Sequence, residues 1–117
     1  LPTLEKIKDA KIAELKAQRD KEEVEPITYQ GYSFDYDEKA RDRINAAIIA
    51  LEVAGASASL TWTTADNQDV KVTADDLRMV IAAVAVRSNA LHTAYRAAKA
   101  KVEAAVTADE VRAVCME

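Results

Sequence analysis

The sequence has few of the residues that build metal, cofactor or disulfide sites. Its 117 residues include one cysteine, one histidine and two glycines. A single cysteine, Cys115, cannot form an internal disulfide, and one cysteine with one histidine is a poor basis for a zinc site. The glycines, Gly31 and Gly55, stand in separate predicted turns, which excludes a glycine-rich phosphate loop. We therefore expect no cofactor and no metal ion.

Aromatic residues are also scarce, at 5% of the chain, although half of the residues are hydrophobic. Much of that half is alanine, so we expect closely packed helices around a modest core. The formal net charge is -4, with 20 acidic against 16 basic residues. A basic excess is typical of proteins that bind nucleic acid, because neutralising phosphates supplies most of their affinity. The acidic balance therefore argues against a nucleic-acid partner.

Long hydrophobic runs are missing as well. No apolar stretch approaches the length that spans a bilayer, and the first residues lack a signal-peptide pattern, so we expect no membrane partner. Residues 1–25 are predicted to form an N-terminal helix that can act as a connector to a region upstream. Residues 26–117 are predicted to form a compact domain of hairpins and helices.

Periodicity, caps and turn residues predict four helices and two short β-hairpins in the order α-ββ-α-ββ-α-α. The fold class is therefore α+β and predominantly helical, and the hairpins could join into one small antiparallel sheet. Turn residues place the hairpins around Gln30-Gly31 and around Ala65–Gln68. The helices are expected at about Leu4–Glu23, Glu38–Ala54 and Ala74–Val102, with a short one after Thr107. Asp35 or Asp37 can cap the second helix, and Thr73 with Asp76 resembles a capping box.

The first and third helices are the predicted contact elements. The first has a thin apolar stripe and is expected to pack weakly, to pair with another chain or to lead upstream. Leu4, Ile7 and Leu15 are its candidate partner contacts. The third repeats Leu77, Ile81, Val84, Ser88, Leu91, Tyr95, Ala98 and Val102 at spacings of four and three. This heptad-like seam predicts packing on helices of this chain or of a second copy.

The aromatic residues allow two interpretations. Alternation places Tyr32, Phe34 and Tyr36 on one face of the first hairpin, and Trp62 lies in the second. The favoured interpretation is that this set, with Tyr29, forms the core face of the sheet. In the alternative, some tyrosines stay exposed as a partner surface, because amphipathic rings are enriched in interfaces. Tyr29 and Tyr36 are the best candidates for that role.

Candidate chemistry centres on His92 and on the carboxylates between Asp66 and Asp76. A hydrolase would need His92 beside a nucleophile and an orienting group. The acidic turn lacks the glycine and the ligand spacing of a calcium loop, and turn formation and helix capping already explain its residues. We expect no catalytic residue, and we keep a small metal-dependent or His-dependent hydrolase as an alternative.

Several local patterns resemble an uncharacterised domain family found in bacteriophage and prophage tail proteins. They are Tyr29-x-Gly31-x-x-Phe34-Asp35-x-Asp37, Arg43-Ile44, the run Trp62–Asn67, Val72-Thr73-Ala74, His92 and Thr107–Val111. The resemblance covers roughly Lys8 to Val114, and the Trp62–Asn67 run before a capped helix is its most specific part. It implies a tail or tail-fibre protein, or a factor in tail-fibre assembly, with no assigned enzyme activity.

The leading hypothesis is therefore a non-catalytic phage tail-associated domain that binds tail or tail-fibre proteins and can form a homo-oligomer. The resemblance implies a location in the host bacterial cytoplasm during assembly, or in the virion tail. The alternatives are the hydrolase and a passive linker domain that only spaces its neighbours.

Overall fold

The computed structural model describes all residues from Leu1 to Glu117, and it confirms a predominantly helical α+β fold. The helices are α1 (Leu4–Glu23), α2 (Glu38–Ala54), α3 (Ala74–Ala104) and α4 (Ala108–Arg112). The strands are β1 (Ile27–Tyr29), β2 (Tyr32–Phe34), β3 (Leu60–Thr63) and β4 (Asp69–Val72). This order of elements is the predicted one. It could be predicted because strong local signals mark most of the boundaries.

The chain divides into two compact units. The hairpin unit is Val24–Val86, and the helical unit combines Leu1–Glu23 with Arg87–Glu117. The first part of α3 thus belongs to the hairpin unit and the remainder to the helical unit. The predicted domain of residues 26–117 divides the chain differently, and it stays a prediction.

Turn geometry fixes the register of both hairpins. Gln30 and Gly31 both have positive φ, at 52° and 80°, as a type I′ turn requires, and they pair Tyr29 with Tyr32. In the second hairpin Asn67 adopts a φ of 62°, and the Thr64 N–H donates to the Gln68 carbonyl at 2.8 Å. Asn67 thereby closes the turn so that Trp62 faces Val70 across the two strands.

The two hairpins form two separate sheets, so the expected joint sheet is corrected. The backbone hydrogen bond between them runs from the Ala65 N–H to the Ser33 carbonyl, at 2.7 Å. It is the turn after β3 that meets the edge of β2, and a turn cannot continue a ladder of strand pairs. Both sheets remain two-stranded for this reason.

The helix caps follow the sequence signals. Asp37 rather than Asp35 caps α2, where its carboxylate accepts from the Ala40 N–H at 2.8 Å. Before α3, the Thr73 hydroxyl accepts from the Asp76 N–H at 3.2 Å, and the Asp76 carboxylate accepts from the Thr73 N–H at 2.9 Å. This reciprocal pair is the predicted capping box.

Each unit has its own hydrophobic core. In the hairpin unit, α2 and the start of α3 bury their inner faces with one residue of each hairpin. Those buried residues are Phe34, Ile44, Ala47, Ile48, Leu51, Val72, Leu77 and Val80. In the helical unit the buried residues are Leu15, Tyr95, Ala98, Val102, Ala105 and Val111.

Candidate protein-interaction surfaces

The predicted aromatic contacts of the hairpin unit are partly used by its own core. Tyr29 and Tyr36 are half-buried and pack against the buried cluster. The Tyr29 ring lies 6.3 Å from the Phe34 ring, and its hydroxyl donates to Asp76 Oδ1 at 3.1 Å. Tyr32 is more exposed than either candidate. The role of Tyr29 and Tyr36 in binding a partner stays a prediction, with only part of each ring accessible.

Asp76 joins the first hairpin to the start of α3. It accepts the Tyr29 hydroxyl through Oδ1 and both the N–H and the hydroxyl of Thr73 through Oδ2. The Thr73 backbone hydrogen bond, with help from Tyr29, lowers the pKa of the Asp76 carboxyl below its ordinary value. Partial burial and the hydrogen bond with Asp76 raise the pKa of Tyr29. The Asp76 carboxylate therefore caps α3 and connects the first hairpin to the start of that helix.

The predicted contacts on α1 differ in how much surface they offer. Leu15 is only 2% exposed and belongs to the core of the helical unit. Leu4 and Ile7 are half-buried and pack against the same core. α1 is thus anchored by one fully buried side chain. Ile7 and Leu4 keep some surface for a partner, whereas the Leu15 side chain is enclosed.

His92 is exposed on α3 and makes no hydrogen bond or ion pair. It lines a shallow cavity of about 260 Å³ with Arg19, Asp20, Glu23 and Ser88. The Ser88 hydroxyl donates to Glu23 Oε2 at 3.1 Å, so a carboxylate and not the imidazole accepts its hydrogen bond. No three histidine, cysteine or acidic side chains are grouped closely enough to hold a metal ion.

The side chains of the heptad-like seam of α3 face the protein interior. Leu77, Val84, Tyr95, Ala98 and Val102 are buried, and the other three members are half-buried. The seam is therefore largely used in forming the two cores. The exposed apolar side chains of α3 lie elsewhere on the helix, with Met79 53% and Val86 72% exposed.

α2 presents a second exposed apolar face, which the sequence analysis did not identify. Ile49 is 65% exposed and Val53 is 86% exposed, one turn apart on the side opposite the buried residues. The signal was available, because residues 46–54 contain a single charged residue, Glu52. A helix segment with apolar residues on opposite faces is typical of one that is covered on both faces.

Arg78 is the cation in the lining of a cavity of the hairpin unit, and two carboxylates already bind its guanidinium. Its guanidinium lies 3.0 Å from Glu52 and 2.8 Å from Asp75. The hydrogen bond with Glu52, followed by the one with Asp75, raises the pKa of Arg78 above its ordinary value. The cavity, of about 460 Å³, also includes Gly55 and Thr73 in its wall. Two carboxylates face this one guanidinium, so the cavity offers little to an anionic ligand.

No helix of the structure has the length and apolar character needed to cross a membrane.

Comparison with known proteins gives one informative result. No curated protein and no solved structure matches the chain. A family described as a domain of unknown function, DUF4376, matches residues 6–114, which is nearly the whole sequence. The chain therefore belongs to the DUF4376 family.

Proposed function

We propose that this protein is a non-catalytic binding domain that contacts other proteins through the outer face of α2. The observation that carries this proposal is the exposure of Ile49 and Val53 on a helix segment with one charge. Two large aliphatic side chains one turn apart leave apolar surface in water, which a partner would remove favourably. Met79 and Val86 add exposed apolar surface on α3.

The surroundings of His92 support binding over hydrolysis. The imidazole has no carboxylate partner, and the nearby Ser88 hydroxyl is hydrogen-bonded to Glu23. A nucleophile activated by histidine needs the opposite arrangement, with its hydroxyl donating to the imidazole. The turn carboxylates have structural roles, since Asp69 accepts the Thr63 hydroxyl at 2.8 Å and Asp76 caps α3.

The biological setting rests on the sequence resemblance. We infer that the partners are phage tail or tail-fibre proteins, with binding during assembly in the bacterial cytoplasm or in the finished tail. A second copy of the chain is the other partner that the exposed helix faces would suit. A passive linker would use the same fold without binding through α2, so it makes a different prediction for this face.

The experiment is a comparison of two α2 variants in affinity purification from cells that express the tagged chain with its genomic neighbours. Ile49→Glu combined with Val53→Glu places charge on the apolar face and is expected to abolish recovery of tail or tail-fibre proteins. Glu38→Gln on the same helix is the control and is expected to retain it. We expect both variants to fold, because substitution of exposed side chains changes stability little. Circular dichroism checks this.

Recovery of the same tail proteins by the double variant would rule out the α2 face as the contact. Failure of the unmodified chain to recover any tail protein would contradict the phage setting. Sedimentation velocity on the purified chain tests the homo-oligomer, which the double variant is expected to dissociate.

A further inference from the structure

The helical unit contains a second surface with its own binding character. A cavity of about 490 Å³ lies between α1 and α4. Its lining includes the apolar residues Ile7, Ala10 and Val111, of which Val111 is fully buried. Its volume falls within the range of pockets that hold small ligands. Ile7, one of the predicted partner contacts, therefore lies in a concave site.

The cavity wall carries more positive than negative charge. Its basic members are Lys6, Lys11 and Arg112, and Glu14 is its acidic member. The Arg112 guanidinium also lies 3.4 Å from Asp109, but both side chains are highly exposed. Such surface ion pairs contribute little, because water and salt screen them. The cavity therefore has a net attraction for anions.

Lys11 is the most informative of these cations. Its side chain is only 14% exposed, yet its ammonium lies 3.9 Å from Glu14. It also donates to the Arg112 carbonyl over a long distance of 3.4 Å. An ammonium has three donors, and good N–H···O hydrogen bonds measure about 2.7–3.2 Å. Both contacts of the Lys11 ammonium are therefore long, and a carboxylate in the cavity would supply a shorter one.

We propose that the cavity binds an acidic peptide segment of a partner protein, with a leucine-like side chain against Ile7 and Ala10 and flanking carboxylates against the three cations. Charge complementarity argues for this occupant, since three basic groups face one carboxylate, and the apolar lining argues against a bare anion. The proposal rests on the proposed function only in taking the partner to be a protein. It uses a different unit and different residues from the α2 face.

The test is an NMR titration of the full ¹⁵N-labelled chain with a five-residue peptide in which glutamate alternates with leucine. Saturable shifts are expected for the backbone amides near Ile7, Lys11 and Val111. A peptide of the same length in which lysine alternates with leucine is expected to cause none. Binding of the acidic peptide should weaken with added salt, because the rim contacts are exposed.

Variants locate the binding site. Lys6→Gln and Arg112→Gln, both exposed, are each expected to weaken the peptide roughly 1.5- to 5-fold, as for single exposed ion pairs. Lys11→Gln is expected to weaken it further. Lys21→Gln, on the same helix but outside the cavity, is the matched control and should leave affinity unchanged.

Three results would overturn the proposal: no saturable binding, shifts confined to other residues, or an equal loss of affinity in Lys21→Gln. If Lys11→Gln fails to fold, the Lys6→Gln and Arg112→Gln variants still decide the outcome. None of these results bears on the α2 face, whose test is the recovery of tail proteins by Ile49→Glu/Val53→Glu. Failure of one proposal is therefore distinguishable from failure of the other.

Discussion

The hairpin unit and the helical unit share α3, but they build their cores from different material. The hairpin unit is continuous in sequence and buries large side chains such as Phe34, Ile44 and Leu77. The helical unit joins the two ends of the chain, and alanines and valines make up most of its buried set. Because hydrophobic stabilisation scales with the apolar area buried, we expect the larger side chains of the hairpin unit to stabilise its core more.

The two units also differ in charge. The hairpin unit has twice as many acidic as basic residues, whereas the helical unit has nearly equal numbers. The lysines of α1 therefore give the helical unit a local basic cavity, while the exposed apolar face lies on α2 of the acidic unit. One small chain thus offers two surfaces of different chemistry, a basic cavity and an apolar helix face.

The largest expected effect is the loss of Phe34, which is 1% exposed at the centre of the hairpin unit. Phe34→Ala should lower the free energy of unfolding by about 3–5 kcal/mol, because a large cavity replaces the ring. Urea denaturation followed by Trp62 fluorescence measures it, since the single tryptophan lies in this unit. Tyr32→Ala, at an exposed ring of the same strand, is the control. A change below 1 kcal/mol in Phe34→Ala would contradict the described core.

The next effect tests the helical unit. Leu15→Ala removes the one fully buried residue of α1 and should cost about 2–3 kcal/mol in that unit. The loss is expected in the helical circular-dichroism signal, with a smaller shift in the Trp62 transition, because all core neighbours of Leu15 lie in the helical unit. Ala17→Ser, at an exposed position of α1, is the control. Equal shifts by both probes would show that the units unfold together.

The smallest effect concerns the Asp76 network. Asp76→Asn should cost about 1 kcal/mol at neutral pH, through weaker capping and a weaker hydrogen bond with Tyr29. The pKa of Asp76 is lower in the folded chain than its ordinary value. Its stabilisation is therefore complete above the ordinary carboxyl pKa and is lost as pH falls through the folded-state value. The difference between wild type and variant should shrink at acidic pH.

Urea denaturation at a series of pH values measures this difference. Asp75→Asn is the control, because Asp75 is exposed and its partner Arg78 also holds Glu52. A wild-type advantage that stays constant into strongly acidic solution would contradict the ionised network.

The sequence predicted the order of helices and strands, whereas the exposure of individual side chains depends on tertiary packing. Asp37, Thr73 and Thr107 mark helix starts, and each uses its side chain to accept a backbone N–H within three residues. Such contacts act locally, so they can be recognised in any context. The burial of Leu15 and the exposure of Ile49 depend on which distant elements pack on each helix face. Neither could be obtained from spacing alone.

The sequence by itself determined the four helices, the two hairpins and their caps and turns, because these depend on hydrogen bonds and φ values set by neighbouring residues. The tertiary structure decided which apolar stripes are buried, that the hairpins remain separate sheets, and that the two chain ends share one core. It also decided that Ile49 and Val53 face solvent and that a cavity lies between α1 and α4. Burial is a property of residues far apart in sequence, so it is fixed only when the elements are packed.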